Sequence, residues 1–517
     1  MNQPELKISQ IWDVIVIGTG MGGATAGYAL AQKGLSVLFL EKGGEVAASQ
    51  DTAAATLPEA RIKQGWWPQP LSQAKNDGKY NQIYASIGCG LGGSSMHYAA
   101  ALERMPASDF ESLQTANQLV PAWPVTYDAF LPYYIAAENL YGLNNNQDDK
   151  ENTRLSEWDK AFLDTLRSKG LKPERLNVAI KYDQDCTECI GKVCHRNCKA
   201  DARVACLNKA LLNARCFLLD NCDVTSIEAD LQQVQHVNAI HNGNALKLRA
   251  KQYILAAGAV HSPQLLLKSA NVFWPNGLAN SSDQVGRNLM FHGSEIYAIW
   301  APKRLSRLAI QKKSLSIRDF YIHAGQRLGY IQSMGLDAGR GNIAVFIKQN
   351  LRKYGIRNER MLALIAKVPS HVAAWVLGDA SIFAALIEDD ADPNNRIQLN
   401  ANEPNGASFS YTITADLRER ADALYQVFSK HVGKWRVLKI SPTLEINSGH
   451  PSGTCRFGSN PTSSVLNADC CSHDIGNLYV VDSSFMPRSG AVNPSLTIAA
   501  NALRVADKIA ARFDNIK

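Results

Sequence analysis

The sequence lacks the features that would take this chain out of water or into a repeat architecture. No uninterrupted apolar run is long enough to cross a bilayer. The nearest candidate, 361–387, is broken by Lys367, Pro369, His371 and the Gly378-Asp379 pair. Residues 1–13 carry no apolar core and no paired arginines, so no export signal is expected there. The expectation is a cytoplasmic protein, export alongside a signal-bearing partner being the other route. No segment repeats and none is of low complexity, which argues against solenoids and tethers. A strong charge imbalance is missing too. A net +7 over 517 residues suits an anionic cofactor and gives no reason to invoke nucleic acid. Cysteine is scarce except in one place, where five of eleven fall between Cys186 and Cys206. Without an export signal, such a cluster points to metal or redox chemistry before disulfides.

What is present begins with size. A chain of 517 residues with 46% hydrophobic content has material for two domains sharing a large core. The stretch Asp13–Gly44 organises the rest. An apolar run ends in Gly18-Thr19-Gly20-Met21-Gly22-Gly23, a small-residue helix pattern follows, and a second apolar run closes on Glu41. This is the strand–turn–helix–strand–acid order of a dinucleotide fingerprint. Gly18 permits the turn, Gly20 lets a pyrophosphate approach the backbone, and Gly23 lets the helix pack close to the sheet. Glu41 stands 23 residues after Gly18, where a carboxylate can accept from ribose hydroxyls.

Further along, Gly88–Tyr98 is a second glycine cluster, containing Gly92-Gly93-Ser94-Ser95 and His97. Backbone pressed against a ligand uses glycine at this density. Helices are expected over Tyr127–Leu140 and Glu157–Ser168, and strands over Cys216–Leu219 and Val224–Ala229. Lys251–Gly258 reads as a buried strand followed by a short helix, Ala259–Ser269. Alternation in Arg396–Asn400 and Ala407–Thr414 suggests an antiparallel sheet. The last 70 or so residues regain glycine punctuation, with a strand over Asn477–Val481 and a helix over Ser495–Ala511. The expected fold is α/β: an interleaved Rossmann-like domain from 1–107, 201–293 and 447–517, with a second domain inserted as 108–200 and 294–446.

These motifs resemble the glucose–methanol–choline (GMC) oxidoreductase family. The resemblance rests on the N-terminal fingerprint, Gly92–Ser95, ILAAGAVHSPQLL, VGRNLMFH (Val285–His292) and the His450…Asn493 tail, all in family order. The tail looks most like the branch of pyranose oxidase and the sugar and gluconate dehydrogenases. The resemblance implies FAD, an antiparallel-sheet substrate domain, and oxidation of an alcohol on a sugar or sugar-like molecule. Fingerprint and resemblance together give as cofactor contacts Gly18, Gly20, Gly22, Gly23, Glu41, Lys42, Gly92, Gly93, Ser94, Ser95, His97, Val224, Ala257, Gly258, Asp482, Asn493 and Pro494.

Removing a hydride from a carbinol requires a base for the hydroxyl proton and a donor to hold the alcohol oxygen. By resemblance His450 is the base and Asn493 completes the pair. His97 occupies the place where some family members attach the flavin covalently and others only hydrogen-bond to it; both readings stand. Cys186, Cys189, Cys194 and Cys198 have spacings similar to the iron–sulfur insert of membrane-linked sugar dehydrogenases. A 3Fe–4S or 4Fe–4S cluster, a zinc site, or a loop without metal are the alternatives, and a cluster would favour a protein or quinone electron acceptor over oxygen. His261 and His292 are assigned to structure. The basic run Lys348–Arg360 and the apolar residues after Met361 read as a solvated helix face beside core sequence, with a lid, a dimer contact or a membrane-resting surface as alternatives. Rival functions are a lyase of the hydroxynitrile type that keeps FAD, and oxidation of a sterol or aliphatic alcohol.

Overall fold

The computed structural model describes residues 10–46, 70–75, 80–83, 85–114, 119–143, 155–182, 186, 188–309, 311–337, 340–353, 356, 358–403, 406–441 and 443–514. Most of the N-terminal stretch weighed above as an export signal lies outside them. Three separated pieces of chain build one parallel sheet. Its strands run in the order Cys216–Leu219, Val37–Leu40, Ile11–Ile17, Asn244–Leu255, Leu478–Val480. Ile11–Ile17, Val37–Leu40 and Leu478–Val480 are largely apolar and mostly buried, as a sheet covered on both faces requires. Register places Ile17 level with Leu40 and Leu255, and Leu255 level with Val480. The strands therefore end at one edge, delivering Gly18, Glu41, Ala256–Gly258 and Val481-Asp482 to the same crevice. Carboxyl ends of parallel strands are where ligands bind in such folds.

The helix Met21–Gln32 covers one face. Its residues Gly22, Gly23, Ala24, Ala26 and Gly27 are buried because nothing larger fits. A Cβ on Gly23 would sit 2.0 Å from the Gly18 carbonyl oxygen, and one on Gly27 would strike the Phe39 ring at 2.2 Å. The C-terminal helix Ser495–Asp514 packs beside it, and Tyr134 joins in through a hydroxyl contact to Thr497 at 2.8 Å.

The strand expected over Lys251–Gly258 begins earlier, at Asn244. Its first half alternates exposed and half-buried residues and pairs antiparallel with Val234–His241, which pairs with Cys222–Ala229. Only the Tyr253–Leu255 end is covered on both sides, so only that end reads as a buried strand.

A second, antiparallel sheet runs Arg436–Lys439, Met290–Trp300, Ser381–Glu388, Tyr330–Asp337, Leu315–Ile317, Glu174–Arg175, with Glu445–Ser452 also paired to Met290–Trp300. The helices Glu157–Ser168 and Ala415–His431 close its outer face around Trp158, Phe162, Phe383 and Trp435. The strands Arg396–Leu399 and Ala407–Ser410 belong elsewhere. They join Leu71–Ala74 and Tyr80–Ile83 in a small sheet, and Ala407–Ser410 runs parallel to Leu71–Ala74.

Candidate active site

The crevice at the strand ends opens into a cleft of about 1540 Å³ that continues over the antiparallel sheet. One end is made of backbone. Gly18 has φ +97°, which favours glycine, and a Cβ there would stand 2.4 Å from the Ala256 carbonyl oxygen. Gly20 precedes the helix without any side-chain cap, and no acidic residue occupies the first turn. The uncapped N–H groups face the cleft as an anion site. Gly93 crosses over this turn: a Cβ on it would lie 2.9 Å from Gly20 Cα. Thr19 ties the two glycine loops together, donating from Oγ1 to Glu41 at 2.7 Å and accepting from Gly92 N–H at 3.2 Å. Ser95 donates to Gly92 O at 2.6 Å, and Ser94 accepts from Gly88 N–H at 2.9 Å.

Glu41 is buried, and burial pushes its carboxyl up against four hydrogen bonds from Thr19, Gly43 and Gly90. Lys42 instead pairs with Asp223 at 3.0 Å near the surface. Asp482 accepts from Gly258 N–H at 2.9 Å, and from Ser262 and Ser484, so it pins two strand ends. Burial raises its carboxyl. Val224, Ala257, Gly258, His97, Asn493 and Pro494 all line the cleft. His261 also lines it and holds Gln264 at 3.1 Å.

At the other end the antiparallel sheet supplies side chains. His450 lies on Glu445–Ser452, and the pairing of that strand with Met290–Trp300 brings it to His292, Nδ1 to Nδ1, at 2.8 Å. Nε2 of His292 is 3.2 Å from the Ser489 carbonyl oxygen. A carbonyl only accepts, so His292 carries its proton on Nε2. Burial lowers the pKa of both imidazoles, and His292 and Lys313 lower that of His450 further. Both rings are neutral, so His292 Nδ1 accepts and His450 Nδ1–H donates. That leaves a lone pair on His450 Nε2. The Asn447 amide nitrogen, 3.2 Å from His450 Nδ1, is then a neighbour and not a donor to it, while its oxygen takes Gly449 N–H at 3.1 Å.

Asn493 donates to Gln332 Oε1 at 3.0 Å. The loop carrying it is clamped by buried charge. Arg488 makes a two-pronged contact with Glu388 at 2.9 and 3.0 Å, and Arg327 adds a third bond at 2.6 Å. Burial alone would raise Glu388, but the two guanidinium groups carry it down to about 2. Ala491 N–H donates to the Tyr321 hydroxyl at 2.8 Å. Lys313, Gln332, Ser294 and Ser441 give the cleft polar groups at this end, beside Met334 and Leu336. Burial brings the Lys313 ammonium down to about 8 against Glu188 and Glu103.

His292 was assigned to structure from sequence and turns out to touch the candidate base. Its partner is 158 positions away. No local sequence pattern marks it, because the contact is set by the pairing of two strands far apart in the chain.

The four clustered cysteines do line one small pocket, with Glu188, His195 and Lys199. A hydrogen bond from Cys189 holds Cys194 down at about 4, with backbone N–H groups helping against burial. Among the described residues no three His, Cys, Asp or Glu side chains converge as metal ligands. The pocket is about 10 Å³, room for about one water. The Lys199 ammonium closes the lobe, donating to the carbonyls of Met96, Tyr98, Cys189 and Lys192. The iron–sulfur and zinc expectations find no fitting ligand set here, and the lobe serves as a wall whose Ile190 and Gly191 face the cleft.

Comparison with known proteins agrees with this layout. Family models described as GMC oxidoreductase match residues 12–294 and 392–502. Among curated proteins, the chain is 27% identical to 2-methyl-1,2-propanediol dehydrogenase of Mycolicibacterium austroafricanum, covering 98% of this chain and 96% of that one. It is 26% identical to the fructose dehydrogenase large subunit of Gluconobacter japonicus, over 96% and 97% of the two chains. Among solved structures, pyridoxine 4-oxidase from Mesorbium loti superposes with a TM-score of 0.65 at 19% identity, covering 98% and 99%.

Proposed function

Since this chain belongs to the GMC oxidoreductase family, we propose that it oxidises a CH–OH group of a sugar or sugar-like alcohol to a carbonyl, with His450 as the base. The observation that carries the reading is the proton chain Ser489 O, His292, His450, which leaves a basic Nε2 on a histidine of the cleft wall. The residues fit FAD. The Gly18–Gly23 turn and helix N-terminus suit its pyrophosphate, Glu41 its ribose, and the Gly92–Ser95 loop with His97 its ring system. When bound, FAD supplies the acceptor for the hydride and its two electrons.

The protein supplies position and proton handling. His450 Nε2 takes the hydroxyl proton. The second amide hydrogen of Asn493, not used by Gln332, is available to the substrate oxygen as charge develops there. Lys313, Gln332, Ser294 and Ser441 favour a substrate with several hydroxyls over a sterol. The names of the propanediol and fructose dehydrogenases point to polyol substrates in those relatives.

An anaerobic panel of sugars, polyols and sterols tests the reading. A polyol is expected to bleach the flavin band near ~450 nm, and failure of every alcohol to do so would sink it in favour of a lyase or a structural flavin. Acid precipitation separates the two arrangements at His97: a colourless supernatant means a covalent bond, a yellow one a hydrogen bond. Oxygen uptake compared with reduction of a quinone analogue identifies the acceptor.

A further inference from the structure

The antiparallel sheet is interrupted between Tyr330–Asp337 and Ser381–Glu388 by a hairpin of two helices, Arg340–Lys353 and Glu359–Leu377. The second helix is amphipathic in an inverted sense. Its Leu362, Ala366 and Ser370 are buried against the protein. Its remaining apolar side chains face outward: Met361 is 49% exposed, Leu364 73%, Val368 67%, Val372 56% and Trp375 85%. With Ile365 and Val376, 39% and 45% exposed, these fall within one arc of about 120° at 3.6 residues per turn. Elsewhere large exposed apolar residues occur singly or in pairs, whereas this is a continuous stripe along one helix. The expectation of core sequence after Met361 is therefore overturned, because most of the apolar side chains of this helix are turned to solvent.

Arg360, Lys367 and His371 lie along one border of the stripe and are exposed. From residue 340 to 378 the sequence holds seven Lys and Arg against one acid, Glu359, while the rest of the chain is nearly balanced at 47 basic to 46 acidic residues. At the far end Arg307 donates to the carbonyls of Gly378 and Ala380, at 2.8 and 2.6 Å. This ties the segment carrying the exposed Lys303, Arg304 and Leu308, the last 89% exposed, to the end of the hairpin.

We infer that this hairpin seats the enzyme on the surface of an anionic lipid bilayer. The apolar stripe enters the acyl boundary, Trp375 lies at the headgroup level, and the basic border meets lipid phosphates. The helix satisfies the length and hydropathy of a membrane span, but one face is packed on protein, so it lies in the interface. A second copy of the chain is a poor occupant of this face, because its basic border would oppose its own kind. The strands at the base of the hairpin carry Gln332, Met334, Leu336, Ala384 and Leu386 of the cleft wall, which puts the cleft beside the bilayer.

Co-flotation of the holoenzyme with vesicles of phosphatidylcholine, with or without phosphatidylglycerol, tests this. Binding is expected with the anionic vesicles and is expected to weaken with added salt. Neutralising Arg360 and Lys367 to Gln is expected to cost about 5-fold per residue, roughly 25-fold together. Val368→Glu with Val372→Glu is expected to abolish flotation while oxidation of a soluble alcohol with a soluble dye stays unchanged. Flotation of the Glu pair at wild-type level overturns the inference, as does failure of the wild type to float with either vesicle. An oligomer that the Glu pair dissolves would assign the face to a second copy and overturn it as well. Should the Glu pair fail to fold, the Gln pair, confined to the polar border, still decides.

Discussion

Replacing His292 by phenylalanine keeps a ring of similar size in the same place and removes only its nitrogens. The structure fixes what is lost. His450 Nδ1–H loses the acceptor 2.8 Å away, and the Ser489 carbonyl loses its donor. An unpartnered buried N–H costs about 1–3 kcal/mol, here charged to the one tautomer that presents a basic Nε2. At about 1.36 kcal/mol per decade, kcat/KM is expected to fall roughly 5- to 150-fold. His450→Ala removes the base itself and is expected to lose about 10²–10⁴-fold. The pH profile should move too. His292 is one of the groups that lower the His450 pKa, so without it the acid limb of kcat/KM should rise toward the ordinary histidine range. His292→Gln offers both an N–H to Ser489 and an oxygen to His450, and is expected to recover most of the loss. The assay is anaerobic dye reduction across pH. A phenylalanine variant with wild-type kcat/KM and an unmoved acid limb would refute the proton chain.

In the wild type, the lowered His450 pKa means the base stays unprotonated as pH falls through 6.5; kcat/KM for a non-ionising alcohol should hold there and decline only further into acid. Glu388→Gln leaves Arg327 and Arg488 with Asp109 as their remaining shared anion and is expected to cost about 1.5–3 kcal/mol, read as a lower denaturant midpoint. An unchanged midpoint would show that the clamp on the Asn493 loop is not held by charge. Gly22→Ala places a Cβ 2.2 Å from the Val481 carbonyl oxygen, which has to move, so the purified variant should lose its flavin absorbance while far-UV dichroism keeps its helical signal.

How much could be read in advance depended on how local the determining contacts are. Gly18, Gly23 and Glu41 were legible because strand, turn and helix are contiguous. The Gly23 clash comes from Gly18 itself, and Gly18 is marked by its turn although the atom that forbids a Cβ there is the Ala256 carbonyl oxygen. Gly22 was less so, since the atom that forbids a side chain there belongs to Val481, on a strand over 400 residues later. The Asn244–Leu255 strand was recognised only where both its faces are buried. Its outer half follows a sheet that only the register with Val234–His241 defines.

Where the structure adds to the sequence reading, it supplies a direction in space that spacing along the chain does not carry. Four cysteines within thirteen residues have suitable spacing for a cluster, yet the Lys199 ammonium, bonded to carbonyls from both sides of the lobe, occupies its interior instead. An apolar helix at 359–377 was read beside core because hydropathy records what a face dislikes and not where it points; Leu362, Ala366 and Ser370 took the inward side. His292 is the most consequential case. The antiparallel pairing of His292 with Asn447 turns two histidines on neighbouring strands toward each other, and one hydrogen bond then decides which nitrogen of His450 is basic. For the base proposed at His450, the register of the second sheet sets the tautomer that proton abstraction requires.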